Sequence, residues 1–501
     1  MQTYLIRNLK SNRNIPRLWL QGAIASNAGF VPRSRYSVLI ECEGEGLSKK
    51  VTLKLADDGK RVVTGAVKGD KEVPVIDLNS REVLGIFEGM EQVRIILGQG
   101  EISIMPLATQ VRVKERLDRI KDKLSRGEPL SVGSLSHGGG VLSLAVHEGL
   151  ESAGHSVKLA FANDIREDLL EHAQLKNPAW TPQTQMLSAP MQELAFDFDA
   201  MGRLAPADVL EAGIPCQGAS LSGRAKGGLD CAEAHEDVGH LLVAFLAILA
   251  RVNPAVAIVE NVPPYQNTAS MWILRHQLRD MGYVVHETVL DGADWNVLEH
   301  RKRMCLIAVT VGMEFSVDDI LKPAPEVKTL GQYLDDVAED APCWSTMQYL
   351  KNKEVRDKAD GKGFAMQIVG PNSTKIGTIG KGYAKNRSTE PKVAHPTNPS
   401  LLRLISPSEH ALVKGVRPEL IDGLCATTAH ELLGQGIVPA PFVAVGKAVG
   451  QCIWAFSKVR ALQTFVPSPI SAGTEPKLLA PATRPIGKAK TIELPQLALE
   501  F

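Results

Sequence analysis

Net charge is absent from this 501-residue chain, in which 56 Lys and Arg are matched by 56 Asp and Glu. A uniformly basic surface, the simplest electrostatic sign of a polyanion-binding protein, is therefore excluded, and any such surface has to be local. Long apolar runs are also missing. The longest, residues 240–250, falls well short of the roughly 20 residues a bilayer span needs and reads as a buried helix. Residues 1–7 lack the basic head, apolar stretch and small-residue cleavage site of a secretion signal, so a cytoplasmic location is expected. No CxxC pair occurs. The seven cysteines, at 42, 216, 231, 305, 343, 425 and 452, are odd in number and widely spaced, which argues against a disulfide framework or a zinc site, and no metal is expected. No internal repeat is found.

What is present is an ordinary globular composition, 44% hydrophobic and 22% charged, with room for two or three domains. Over residues 1–128, short β-branched runs such as 36–40, 50–55, 61–63 and 92–97 alternate with turn signals and predict a small β-rich domain. A charged helix over about 110–125 then leads to the boundary at Gly127-Glu128-Pro129. From 129 to 313, apolar runs (130–135, 157–161, 208–210, 255–259, 283–285, 304–309) alternate with helical periods, predicting an α/β domain with a mainly parallel sheet. Residues 314–400 break that rhythm as a polar, loop-rich insert. Between Lys351 and Arg403 the chain carries eleven Lys and Arg against four Asp and Glu, a local net +7 suited to phosphates. Residues 401–460 return to helical patterns, opened by the capping-box signature Ser406-Pro407-Ser408-Glu409. The Pro-, Ala- and Lys-rich stretch 461–501 is expected to be mostly disordered.

Three segments carry chemistry. His137-Gly138-Gly139-Gly140 follows the first α/β strand and opens a helix, where glycines let the backbone approach a nucleotide-like ligand, and Asp164 ends the second strand where ribose hydroxyls would be met. Cys216, in Ile214-Pro215-Cys216-Gln217-Gly218-Ala219-Ser220, lies just past a strand in a proline-stiffened turn. A cysteine alone is more often a packing residue, but the Pro-Cys-Gln setting favours a nucleophile. The following Ser222–Gly228 stretch, with Arg224 and Lys226, is a basic, glycine-rich loop that could close over a polyanion. Glu260-Asn261-Val262 ends the next strand, so that pairing of the two strands would bring thiol and carboxyl together at the carboxyl edge of the sheet. An isolated strand-end glutamate more commonly ends in a surface ion pair, and the run Glu299-His300-Arg301-Lys302-Arg303 would alone be a solvated charge cluster.

In this order the motifs resemble those of the cytosine-C5 DNA methyltransferase family over roughly residues 130–455. Pro215-Cys216-Gln217 with Ser220, Glu260-Asn261-Val262, Arg301-Lys302-Arg303, Arg403-Leu404-Ile405-Ser406-Pro407-Ser408-Glu409 and Gly434-Gln435-Gly436-Ile437-Val438-Pro439 carry the resemblance. It implies a Rossmann-like S-adenosylmethionine-dependent methyltransferase domain with an inserted target-recognition region over 314–400. Cys216, Glu260, Arg301 and Arg303 become the catalytic candidates: attack on cytosine C6, the N3 contact, positioning of Cys216 or a phosphate, and the O2 contact, respectively. The cofactor set would be Ser136, His137, Gly138, Gly139, Gly140, Asp164, Ile165, Pro215, Gly239 and Leu241, and the DNA set Gln217, Ser220, Arg224, Lys226, Asn261, Lys375, Lys381 and Gln435. Lys375, Lys381, Lys385 and Arg387 suit phosphates better than bases. Ser134 and Ser136 replace the family's Asp and Phe, Ile165 stands where a larger side chain is frequent, and Glu299 and Gln435 stand for the usual Gln and Asn. Ser188 lies where an adenine-contacting acid is expected. The expected partner is double-stranded DNA met by a monomer, with a restriction-endonuclease partner compatible with the family. A transfer-RNA methyltransferase and a non-catalytic DNA-binding regulator are the competing readings. The N-terminal residues 15–20 and 28–32 faintly resemble the β-domains of SymE-type bacterial proteins.

Overall fold

The computed structural model describes residues 3–12, 15–43, 48–87, 90–215, 231–236 and 239–458. The first part of the chain alternates because each strand has one wet face: Gln92–Gly98 buries Val93, Ile95 and Leu97 and leaves the residues between half-exposed. Its strands form a six-stranded sheet and a four-stranded sheet. Leu20, Phe30, Leu53, Leu78, Ile95 and Ile104 build a core of their own between them.

The central sheet has a different logic. Strand β1 (Leu130–Leu135) is buried at all six positions, the mark of a strand covered on both faces. It is followed by β2 (Val157–Asp164), β3 (Gln185–Ser188), β4 (Val209–Gly213), β5 (Val256–Asn261), β6 (Tyr283–Asp291) and β7 (Lys302–Thr310), in the sheet order β3-β2-β1-β4-β5-β7-β6. All neighbours are parallel except β7, which runs antiparallel to both β5 and β6. Alternate residues feed opposite cores. Val256 and Ile258 meet Val146, Phe442 and Val445 on one side, while Ala257 and Val259 meet Phe245, Ile248 and Leu274 on the other. On the first side two helices, Val141–Ser152 and Pro439–Lys458, approach through glycines. A Cβ on Gly149 would lie 2.4 Å from the Val443 carbonyl and 2.7 Å from Gly446 Cα, so larger residues would force the helices apart.

The helix Ala108–Arg126 is bolted to this sheet. Asp208, whose side chain is fully buried, accepts from Lys123 Nζ (2.5 Å), Arg119 Nε (2.9 Å) and the backbone N and Oγ of Ser131 (both 2.8 Å). Burial works to raise this carboxyl, yet Lys123 and Arg119 hold it below its ordinary range.

The insert is mostly irregular, with one helix, Gln348–Ala359, and a three-stranded sheet completed by Leu402–Arg403. Its small core joins Leu330, Ile376, Ile379 and Tyr383 to Leu298, Ile405 and Val413, so the segment is pinned at both ends to the α/β body. Ser406 and Glu409 form the expected capping box, and Glu409 also pairs with Arg403 at 2.6 Å. Among the described residues no single helix is long and apolar enough to cross a membrane; one bent pair, Ala426–Gln435 with Pro439–Lys458, is so by joint length and composition, and it contributes Leu433, Phe442, Val449 and Ile453 to the core.

Candidate active site

The strand order reverses between β1 and β4, and open α/β sheets bind their ligands in the crevice at that point, beyond the carboxyl ends of the strands. Some of the candidate residues stand at that edge: Ser136 and Gly138–Gly140 after β1, Asp164 at the end of β2, Pro215 after β4 and Glu260 near the end of β5. After β1 the chain turns through Ser136, at φ 55, into Gly138, Gly139 and Gly140, and Gly140 caps the helix Val141–Ser152 at φ 73. A Cβ on Gly140 would meet Asn177 Nδ2 at 2.3 Å and His137 Nε2 at 2.5 Å, so the turn admits only glycine. Asp164, at the end of β2, accepts from Gly138 N (2.7 Å) and Arg166 N (3.0 Å). Each carboxylate oxygen thus holds one backbone donor and keeps lone-pair capacity for another. The neighbouring Ile165 is exposed.

His137 turns inward. Its Nε2 accepts from Trp180 Nε1 at 3.1 Å, and its Nδ1 lies 2.7 Å from Ser134 Oγ. Because an indole N–H can only donate, the imidazole proton resides on Nδ1 and is donated to Ser134. Burial pushes His137 down to about 3, keeping it neutral, and only its backbone is left to face a ligand. Leu241, too, is buried at the start of the helix Leu241–Val252, and Gly239, two residues before it, donates from its backbone N to the His235 carbonyl (2.9 Å).

Strands β4 and β5 pair in parallel with Gly213 opposite Glu260, the pairing on which a thiol–carboxyl site depends. Ile214 and Pro215 follow directly. Cys216, Gln217, Ser220, Arg224 and Lys226 lie outside the described residues. Asn261 is buried and holds the chain just past β4, donating from Nδ2 to the Ile214 carbonyl (3.0 Å) while its Oδ1 accepts from Val262 N (2.8 Å). Both ends of this side chain are spent inside the protein, which makes it a brace for Ile214.

Glu260 does end in an ion pair, though not at an open surface. Arg303 Nε lies 2.7 Å from Glu260 Oε1, with only 14% and 13% of the two side chains exposed. Burial raises the Glu260 carboxyl above its ordinary range, with Arg303 and then Arg301 opposing the rise. A Cβ on Gly213 would stand 3.5 Å from Glu260 Oε2 and 3.9 Å from the Ser136 carbonyl. The glycine turn, the strand leading to Cys216 and the carboxyl therefore converge.

The charged run 299–303 separates by side. Lys302 is exposed, Arg303 reaches Glu260, and Arg301 is buried. Arg301 donates to the carbonyls of Gly434 (2.7 Å), Gln435 (3.4 Å) and Ile379 (3.3 Å) and to Glu299 Oε1 (3.3 Å). A guanidinium so enclosed cannot reach a DNA phosphate, and the phosphate alternative for Arg301 is set aside. Instead it ties the insert to the C-terminal helices. Glu299 completes the buried cluster with Lys414 Nζ at 2.7 Å. Burial and Arg301 push Lys414 down to about 7, whereas Glu299, despite burial, is held low by Lys414 and Arg301. Gly434 packs so tightly on the insert that a Cβ would lie 2.3 Å from Lys381 N. Lys381 and Gln435, both exposed, are thereby brought side by side, while Lys375 is exposed elsewhere on the insert.

Sequence reasoning gave no role to Lys414, Trp180 or Glu211. Only Glu211 carried a signal, a carboxyl inside the apolar strand β4. It is 1% exposed, its Oε1 has no hydrogen-bond partner among the described residues, and Ser134 faces it in register.

A family model described as C-5 cytosine-specific DNA methylase matches residues 138–451. Among curated relatives, the type II methyltransferase M.MspI of Moraxella sp. is 26% identical over 239 residues, 46% of this chain, and the chain spans about half of that protein, 53%. The type II methyltransferase M.NlaX of Neisseria lactamica is 28% identical over 266 residues, 50% of this chain and 78% of the relative. In fold, the crystal structure of S. pombe Dnmt2 methyltransferase aligns with TM-score 0.50 at 19% identity, covering 66% of this chain and 99% of that one. The chain belongs to the C-5 cytosine-specific DNA methylase family.

Proposed function

We propose that the protein methylates C5 of cytosine in duplex DNA, with S-adenosylmethionine as donor and Cys216 as nucleophile. The observation that carries this reading is the Glu260–Arg303 pair at the end of β5, opposite the strand that leads through Pro215 to Cys216. The residues present fit a nucleoside-type cofactor. Gly139 and Gly140 leave no room for a Cβ while Gly138 has open space beside it, the helix Val141–Ser152 has no side-chain cap over its first amides, and Asp164 keeps acceptor capacity beside exposed Ile165. When bound, S-adenosylmethionine supplies an electrophilic methyl group.

The chain's own residues have to make C5 reactive, since an aromatic ring gives up electron density poorly. Addition of the Cys216 thiolate to C6 breaks the aromaticity and pushes charge toward N3. Glu260, whose proton is retained to higher pH by burial, donates at N3 and stabilises that charge. Arg303, released from or shared with Glu260, meets O2. After alkylation a solvent base takes the C5 proton, and the electron pair of that bond restores the C5–C6 double bond as the C6–S bond breaks and frees the Cys216 thiolate. None of this reaches a stacked base, so the cytosine must be flipped out at a cost of a few kcal/mol. The insert, with Lys375, Lys381 and Gln435 exposed on it and beside it, supplies the reading surface in this scheme.

Radiolabelled methyl transfer into mixed-sequence duplex DNA and into bulk transfer RNA tests the reading. Label is expected in DNA, at cytosine C5. Label in RNA alone, or none on any duplex despite tight binding, would overturn it.

A further inference from the structure

The first part of the chain meets the catalytic body through the helix Ala108–Arg126, and a cleft of about 360 Å³ opens at that junction, within the size range of small-ligand sites. Four arginines line it: Arg94 from the strand Gln92–Gly98, Arg112 and Arg119 from the helix, and Arg251 from the last turn of the helix Leu241–Val252. Among the described residues only Arg119 of these has a carboxylate partner, Asp208, and that carboxylate is shared with Lys123. Arg251 donates to the carbonyls of Met201 (2.6 Å) and Gly202 (2.9 Å), and Arg112 to that of Ala250. Neutral acceptors thus aim these guanidiniums without cancelling their charge. Arg94 Nε is buried and has no hydrogen-bond partner among the described residues. Glu115 is the single acid in the lining. Three guanidiniums that have no ion pair among the described residues thus line one concavity, Arg94 half-buried and Arg112 and Arg251 exposed, and their planar forks suit phosphoryl oxygens.

We propose that this cleft binds a small, multiply charged oxyanion of the pyrophosphate or nucleoside-polyphosphate class through Arg94, Arg112 and Arg251. The DNA undergoing methyl transfer is disfavoured as the source of those phosphates. Arg251 and Asn253, in the lining, stand just before β5, whereas Glu260 lies near its far end and Pro215 just beyond β4. Strands of five and six residues hold the two ends about 17–20 Å apart. Since Arg94 belongs to the N-terminal sheet, an anion here would also clamp that sheet to the catalytic body.

The test is calorimetric titration of inorganic pyrophosphate into the full-length protein at low salt, beside an Arg94→Gln/Arg112→Gln variant. Neither residue pairs with Asp208, and neither belongs to the proposed catalytic set. The wild type is expected to bind one pyrophosphate, the variant at least tenfold more weakly, with duplex DNA affinity equal in both. Absence of binding by the wild type, or equal binding by the variant, would overturn the proposal. A variant that loses duplex affinity in step with pyrophosphate would assign the cleft to the DNA backbone instead. Should the double variant fail to fold, Arg94→Gln alone, at a half-buried position, carries the same comparison.

Discussion

Glu211 allows a stability effect to be worked out from the structure. It is 1% exposed in β4, and one carboxyl oxygen has no hydrogen-bond partner among the described residues. Burial pushes it up to about 8, a hydrogen bond from Ser134 working against the rise and the charge of Glu260 adding to it. An unfolded chain would titrate the same group near 4.5. Between those values the folded state holds a proton that the unfolded state has released, so stability falls as pH rises through that window. At about 1.4 kcal/mol per pH unit, the span from 4.5 to 7 costs about 3 kcal/mol. Glu211→Gln keeps the shape and neutrality of the protonated carboxyl without having to take up a proton. It is expected to stabilise the protein by about 3 kcal/mol at pH 7, by under ~1 kcal/mol near pH 5 and by about 5 kcal/mol at pH 9. Urea midpoints measured across pH 5–9 for both proteins give that difference directly. A gap that does not widen with pH would show that Glu211 is ionised in the folded state, and the reasoning would fail.

Glu260→Gln should cut single-turnover methyl transfer far more than DNA affinity, since an amide can donate a hydrogen bond but cannot deliver a proton. For the wild type, the raised Glu260 carboxyl means that the rate falls as pH climbs through its titration; a flat profile there would remove Glu260 from proton transfer. Lys123→Met strips the ammonium from a fully buried Asp208 carboxylate and should cost about 3–5 kcal/mol. Because Asp208 is held low, that contribution is present above the ordinary carboxylate range and is lost as acid titrates the folded protein, which a pH series of unfolding midpoints checks. For the same reason a truncation beginning at Leu130 should be much less stable than one beginning at Ala108, and equal thermal midpoints would contradict the role given to Asp208. Arg301→Met should loosen residues 379–381 from 434–435 and raise the Kd for duplex DNA at least tenfold, with cofactor affinity measured by calorimetry little changed.

Much of the central sheet was legible because its strands are runs of consecutive apolar residues: β1 begins and ends where the sequence places it, and β5 and β7 differ only by a few residues at their ends. Strand β3 was not read, since at four residues with alternate positions half-exposed it offers too little apolar surface. The insert helix Gln348–Ala359 escaped for a related reason: it buries only Leu350 and Asp357, so it shows no apolar stripe. In the candidate site, residue types and order pointed to Glu260 and Arg303, but not to which arginine would be buried. The sides taken by Arg301, Lys302 and Arg303 depend on Gly434 and Glu260, both distant in sequence. Long-range pairing likewise hid the attachment of the helix Ala108–Arg126, because Lys123 and Asp208 are 85 residues apart and nothing local to either announces the other.

The most direct measurement of Cys216 as nucleophile uses duplex DNA carrying 5-fluorocytosine at the methylated position. Addition at C6 and methyl transfer can proceed, but fluorine cannot leave C5 as a cation, so elimination is blocked. A denaturation-resistant protein–DNA adduct is expected that requires S-adenosylmethionine, disappears in Cys216→Ser, which retains DNA binding, and persists in Cys231→Ser. Peptide mass mapping of the adduct to Cys216 is the predicted result; mapping to any other residue, or undiminished trapping by Cys216→Ser, would contradict it.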